Sequence, residues 1–570
     1  MQGDVWHGTG IAYQSEQDKP RARWTRFAAG LHQALGMSIG DDGIFVLGRD
    51  QITRLHDLND DGEADFYECF SNAYVTSTAG HDFICGLQRD GQGNFYLASG
   101  NEGIVRVSAD GKKAQVIATG FRNPDGIGIY PDGTITVPCS EGEWTPTSEI
   151  CAMPTRWQPT FDSEQSPPFF GYKGPRDGQH VELPMVYLPR GLDNSSGGQA
   201  YVNSDRFGPL QGQMIHSSFG AAATYVLLRD EVAGQIQGAF YPIAGEFLSG
   251  VHRGKFNAAD GQLYLSGMAG WGTYSTERGC FQRVRYTGGE LPMPVGFHVH
   301  ENGVTIKFSQ PLDSNVSANP KAHFAQAWNY RYGSAYGSSE YSTRHYGVRG
   351  HDRLDIKSSH VLDDGRTLFV EIPDMQPVNT LHLQLSIAAD KTVDLYATCH
   401  RLDSPRSDFA GCEKIAKQIQ PHPMEMDLVM ATRRVPNPWK DKIEGARAVR
   451  IEAGKNLSFA TRQFSVKAGE PIAFSMVNPD VVPHNWALIK PGSLQRVGEE
   501  ANKLVADPEA VVMQYAPQTA DVICYTDIVE PEQTFTIYFR APETPGRYPY
   551  LCTFPGHWMV MNGEMIVERK

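Results

Sequence analysis

Tyr550-Leu-Cys-Thr-Phe-Pro-Gly-His-Trp-Met-Val-Met-Asn-Gly563 is the stretch that decides how the end of this chain folds. It places Cys552, His557 and Met561 at relative positions 0, +5 and +9, so one loop can offer a thiolate, an imidazole and a thioether to a single metal ion. Copper that cycles between two oxidation states is well served by two imidazoles and a thiolate with a weak axial thioether, because the soft sulfur stabilises the reduced ion while imidazole suits both. The second imidazole must then come from a distant strand. Val482-Pro-His-Asn-Trp486 supplies it at His484, and no other His lies between Arg447 and His557. Met559 at +7 is a second thioether in the same loop, but its spacing fits the axial position less well.

Around this loop the sequence alternates apolar and polar residues in Arg462-Gln-Phe-Ser-Val466, Pro471-Ile-Ala-Phe-Ser-Met476 and Gln533-Thr-Phe-Thr-Ile-Tyr-Phe539. Such alternation reads as half-buried β-strands, and the length from residue 447 to 570 suits one Greek-key β-barrel. The loop together with His484-Asn-Trp486 resembles the cupredoxin family, in particular its azurin and auracyanin members. The resemblance implies a type 1 copper ion held by His484, Cys552, His557 and Met561, with Asn485 orienting the ligand loop by bonding near the Cys552 sulfur or Thr553. It also implies that His557 is the ligand nearest the surface, ringed by Phe554, Pro555, Trp558 and Met559, an apolar face on which a redox partner protein docks. Azurin has Gly before its first His ligand; here Pro483 stands there, with a restricted φ. A binuclear copper-A centre is excluded because it needs two Cys in the loop and only Cys552 is present.

Working back from this domain, residues 403–446 are polar and Pro-containing and read as a linker. Residues 294–402 alternate again, in Gly303-Val-Thr-Ile-Lys-Phe308 and Thr367-Leu-Phe-Val-Glu-Ile372, and predict a small β-sandwich. It carries a His- and Tyr-rich insertion. His298, His300, His323, Tyr330, Tyr332, His345, Tyr346 and His351 could there form a second metal site, a sugar-binding face or plain packing.

In residues 1–293 Asp-Gly repeatedly introduces a short β-like run, at Asp42-Gly43, Asp90-Gly91, Asp132-Gly133 and Asp260-Gly261. The first three are 48 and 42 residues apart, and the fourth lies 128 residues on, close to three further steps. About six units of about 45 residues predict a six-bladed β-propeller; unrelated hairpins that share Asp-Gly turns are the alternative. The fold class expected overall is therefore mostly β: propeller, sandwich, cupredoxin barrel.

Phe121-Arg-Asn-Pro-Asp-Gly-Ile-Gly128, with Pro131-Asp-Gly133 and Ser140-Glu-Gly-Glu143 after it, resembles the soluble glucose and sorbosone dehydrogenases that use pyrroloquinoline quinone (PQQ). The resemblance implies Arg122 and Asn123 as quinone contacts and His81 as the base toward a sugar hydroxyl, with Arg253 as a further contact to the anionic cofactor. It departs from the family at Ile215-His-Ser-Ser-Phe-Gly220, which lacks the family's Lys. Separately, Asp57-Leu-Asn-Asp-Asp-Gly-Glu-Ala-Asp-Phe-Tyr-Glu68 has the spacing of a calcium loop, with Asp57, Asn59, Asp61, Asp65 and Glu68 as its oxygen donors. The other reading is a solvated acidic turn between strands.

Composition narrows the partners. The 570-residue chain carries a formal charge of −14, which argues against nucleic acid or an anionic membrane as partner because both are negative. No apolar run is long enough to span a bilayer, and the opening Met-Gln-Gly-Asp-Val-Trp-His lacks the basic and apolar regions of a signal peptide. Nine Cys occur without a CxxC. With Cys552 set aside, eight would suit disulfides in a periplasmic or secreted protein, Cys139 with Cys151 and Cys399 with Cys412 being nearest in sequence. The expected function is a dehydrogenase-like module passing electrons from a carbohydrate or aldehyde substrate to the copper. A non-catalytic carbohydrate- or protein-binding propeller fused to an electron carrier is the alternative, and a carbohydrate lyase or hydrolase a further one.

Overall fold

The structure, a computed structural model, describes the chain except residues 1, 10–22, 77–82, 155–156, 158–159, 162, 177–178, 244, 271–272, 291, 346, 414–415, 432–435, 455–456, 481, 505–509 and 511–512, and the side chains of 2 and 429–431. The chain is mostly β and divides into two compact units. The first comprises residues 1–327, 336–338 and 353–417, and the second 328–335, 339–352 and 418–570.

In the first unit the Asp-Gly signals act as read. Each Asp lies in the turn after a strand, and the carboxylates of three of the four accept backbone N–H groups just beyond: Asp90 from Gln92 and Asn94, Asp132 from Thr134, Asp260 from Gln262, whereas Asp42 pairs with Arg89. An Asp side chain offers the backbone this local partner at a turn, and the next strand then starts in register. Sheets of consecutive antiparallel strands result, spanning Gly36–Ser71, Ile84–Ala118, Gly128–Leu188, Ser196–Ile243 and Gly250–Val284. This up-and-down order is that of propeller blades. Five such sheets lie among the described residues, beside a hairpin of Gln2–Thr9 and Arg23–His32, where the spacing anticipates about six units. Facing apolar residues of the first two sheets, such as Phe45, Leu47, Phe95, Leu97 and Val105, form a shared core.

The expected boundary at 293/294 does not separate compact units. Strand Gln235–Ile243 pairs with Lys391–Cys399, so the fourth sheet continues through Val378–Ala388 and Phe324–Trp328 into one eight-stranded sheet. A second sheet, ordered Pro294–His300, Gly303–Phe308, Thr367–Glu371, Ser358–Val361, packs on the same core as Ile215, Val226 and Leu228. An unpaired sheet edge would leave backbone groups unsatisfied, and the middle segment covers that edge. The expected linker also divides: 403–417 falls in the first unit and 418–446 in the second.

The second unit is built on two sheets. One is ordered Ser458–Phe459, Arg447–Gly454, Pro471–Val477, Thr534–Arg540; the other Gln463–Lys467, Asn562–Glu568, Gly546–Leu551, Ala487–Ile489, Val522–Tyr525. Arg447–Gly454 runs parallel to Pro471–Val477, and Gln463–Lys467 parallel to Asn562–Glu568, which requires the chain to cross between sheets in Greek-key fashion. Their inner faces meet at Trp486, stacked 3.8 Å from Phe474 and fully buried; burying a Phe-sized side chain contributes roughly 3 kcal/mol.

Candidate metal centre

Strand Gly546–Leu551 delivers Cys552 to the end of its sheet, and the loop after it closes on itself before Asn562–Glu568 departs. Three backbone bonds close it: Cys552 N–H to Met561 O at 3.0 Å, His557 N–H to Phe554 O at 3.0 Å and Met561 N–H to His557 O at 2.9 Å. His484 arrives from the other direction, just before strand Ala487–Ile489, and is pinned by reciprocal backbone bonds with Val529. The fold thus brings together residues far apart in the chain. The Cys552 sulfur lies 3.9 Å from His484 Nδ1 and 3.6 Å from His557 Nδ1, and one donor atom from each of the three lies within 4.8 Å of the others. All three are buried, as is Met561. Met559, the competing thioether, is 62% exposed.

Asn485 locks the two loops together. Its Oδ1 accepts from Thr553 N–H at 2.8 Å and lies 3.5 Å from the Cys552 sulfur, while its Nδ2 donates to Thr553 Oγ1 and Gln514 O. This is the arrangement expected from the sequence. Burial pushes the Cys552 thiol up to about 12, while backbone N–H groups of Asn485 and Phe554 bonded to the sulfur pull it the other way. Those N–H groups favour the thiolate that a metal ion would demand.

Two features of the site were not read in the sequence. His484 Nε2 lies 3.2 Å from an Asp480 carboxylate oxygen; with Nε2 carrying the proton, Nδ1 is left as the electron-pair donor on the cysteine side. The Asp at −4 from the His was the available signal. The second feature corrects the expected surface edge: His557 is only 1% exposed. Gly347 stands over it, such that a Cβ there would lie 3.2 Å from His557 Nε2 and 3.6 Å from Val482 Cβ.

Gly347 belongs to the His- and Tyr-rich insertion, which packs with the C-terminal unit. The Asp352 carboxylate anchors this loop by accepting from Ser342 Oγ, Thr343 N–H and Oγ1, and Arg344 N–H. His351 stacks 4.0 Å from the Trp328 ring and bonds Glu340. His323 instead bonds Ser317 O inside the first unit, and Tyr346 lies outside the described residues.

The residues expected to hold a quinone do not assemble. Arg253 bonds Asp125 and lines a cavity of about 550 Å³ with His252, Gly126, Gly198 and Lys255. Arg122 is buried against the Tyr336 hydroxyl and ring, and neither it nor Asn123 lines that cavity. His81 lies outside the described residues. With one of the two cations elsewhere and the other neutralised, these side chains do not fit an anionic quinone. Of the His–carboxylate pair His252 and Asp125, bonded at 2.5 Å, His252 lines the cavity. Burial raises Asp125, but the adjacent His252 and Arg253 charges outweigh it and hold the carboxyl well below its usual range.

In the expected calcium loop, Asp57, Asn59 and Asp61 accept backbone N–H groups of Asp61, Gly62 and Glu63, and Asp65 accepts from Leu58. Glu68 pairs with His56 and Arg54 on the neighbouring strand. These bonds are those of a self-capped acidic turn. All nine Cys are free thiols. Cys139 faces Glu149 across the ladder while Cys151 faces Val137, and Cys412 lies against Arg406 O.

Comparison with known proteins agrees with this geometry. Residues 446–568 match the model of the copper binding proteins, plastocyanin/azurin family. Auracyanin-A of Chloroflexus aurantiacus is 31% identical over 129 residues, which cover 22% of this chain and 77% of that protein. Azurin iso-2 of Methylomonas sp. is 26% identical over 126 residues, 21% of this chain and 95% of that protein. Among solved structures, auracyanin A of Chloroflexus aurantiacus is similar at 29% identity, covering 22% of this chain and all of that one, with a TM-score of 0.20. A glucose dehydrogenase structure covers 44% of this chain and 77% of its own at 18% identity and a TM-score of 0.31, too low to carry an argument.

Proposed function

The chain belongs, through residues 446–568, to the plastocyanin/azurin family of copper binding proteins, and from that membership we propose that it is an extracytoplasmic electron carrier whose type 1 copper is held by His484, Cys552, His557 and Met561. The observation that carries the reading is the convergence of two imidazoles and a thiol within 4.8 Å inside a fully buried pocket. Bound there, copper supplies a one-electron couple. The protein's part is to hold the donors still: Asn485 ties the Cys552 loop to the His484 loop, Asp480 fixes the His484 tautomer, and the closed backbone of Cys552–Met561 resists rearrangement. Four protein donors, all of them buried, leave no open position for substrate, so the centre passes electrons.

With Gly347 over His557, exchange with a redox partner protein runs through the neighbouring apolar edge of Met559 and Val560, 62% and 55% exposed. Adding Cu(II) to the metal-free protein should produce an intense thiolate-to-copper charge-transfer band that Cys552→Ser abolishes. A colourless copper-loaded protein overturns the assignment.

A second reading extends this to an oxidoreductase whose N-terminal part oxidises a sugar or related alcohol and feeds the copper. It is favoured by His252, which lines the 550 Å³ cavity beside Arg253 and is backed by Asp125, since a carboxylate-backed imidazole, once it has given up its own proton, can accept one from a hydroxyl. Sugars added to the copper-loaded protein should bleach its colour. Colour that persists across a broad panel counts against the dehydrogenase reading.

A further inference from the structure

We propose that His298, His300 and Asp403 form a second metal site, for a divalent ion of the zinc class, in the N-terminal unit. One nitrogen of each imidazole and a carboxylate oxygen of Asp403 lie within 4.8 Å of one another. The placement follows from the backbone. His298 and His300 alternate along strand Pro294–His300 and so share a face. Asp403 is held alongside by a bridge to His300, with its N–H donated to Val299 O and its carbonyl accepting from Glu301 N–H.

The surroundings are those of a built site. Buried Asp230 lies 2.7 Å from His298 Nδ1 and is itself fixed by Gln237 Nε2, so His298 Nε2 points to Asp403. A carboxylate behind a histidine is how metal sites orient a ligand and raise its basicity. His300 Nδ1 donates to the Ser404 carbonyl at 3.1 Å, which leaves Nε2, 3.1 Å from Thr305 Oγ1, as its electron-pair donor. Arg406, the nearby cation, is paired with Asp408. Two nitrogens and a carboxylate suit zinc, copper or nickel over calcium or magnesium. His298 and Asp403 have side chains 34% and 51% exposed, which leaves an entry path and room for water ligands.

The competing account is a metal-free ion pair in which protonated His298 bridges Asp230 and Asp403. That pair has no need of His300, so His300 decides between them. Protein already loaded with copper is titrated with Zn(II) by calorimetry, and bound zinc is counted after gel filtration. One further equivalent is expected, with affinity reduced at least tenfold in His300→Ala and in Asp403→Ala, the latter a partly exposed position whose loss leaves the core intact. Absence of a saturable zinc equivalent in the wild type, or one that both variants retain, overturns the proposal.

Discussion

Gly347 sits against His557 with little room for a side chain: a Cβ there would stand 3.2 Å from the imidazole Nε2, and the glycine adopts φ +75°. An L-residue at that φ is strained by about 1 kcal/mol, and the added methyl must push either the loop or the ligand. Gly347→Ala is therefore expected to lower the unfolding free energy of the C-terminal unit by about 1–2 kcal/mol and to shift the copper charge-transfer band. Denaturant melts and visible spectra check this; a variant identical to wild type in both would show that the loop does not press on His557.

Asn485 ties two loops through four buried contacts, and truncation strands Thr553 N–H, Thr553 Oγ1 and Gln514 O away from water. An unsatisfied buried polar group costs about 1–3 kcal/mol. Asn485→Ala should therefore destabilise the metal-free protein by at least 2 kcal/mol on that scale and loosen copper retention against a chelator. Unchanged copper off-rates would mean that the backbone alone sets the ligand geometry.

The convergence of His484, Cys552 and His557 and its Asn485 clamp were legible because Cys552 and His557 lie within one loop, where spacing along the chain determines spacing in space. The Asp-Gly turns were legible for the same reason: an Asp side chain bonds its own next residues. What escaped was non-local. Nothing in Gly347's neighbours announces that it will meet His557, and the pairing of Gln235–Ile243 with Lys391–Cys399 joins segments that read separately as two domains. The Arg122 and Arg253 assignments failed similarly, since a short motif does not say which way a guanidinium points, and here Tyr336 and Asp125 take them.

Glu149 makes the stability of the N-terminal unit fall as pH rises from acid to neutral. Burial with only the Cys151 thiol as a partner raises its carboxyl to about 8, so the folded protein holds a proton there that the unfolded chain releases near the ordinary Glu range. Between about pH 4.5 and pH 8 the folded state binds the extra proton, and stability falls as pH rises, by at most about 1.4 kcal/mol per pH unit from this group. Glu149→Gln should flatten that slope in denaturant melts across this window; an unaltered slope would place the sensitivity elsewhere.

Asp480 is where charge reaches the copper site without touching the metal. Its carboxylate lies 3.2 Å from His484 Nε2, on the side of the ring away from Cys552, and the imidazole is fully buried. A negative charge behind a ligand makes that ligand a stronger donor, and a stronger donor favours the more highly charged oxidised ion. Neutralising it in Asp480→Asn keeps a side chain of the same size and weakens only that preference. The reduction potential is expected to rise, by about 59 mV for each tenfold loss in the preference for Cu(II) over Cu(I). In the metal-free protein the His484 Nε2–H signal should also lose its carboxylate-bonded shift by NMR, a readout that does not depend on copper. A potential that stays put while the NMR signal moves would mean that the His484 tautomer, and not the Asp480 charge, is what the site requires.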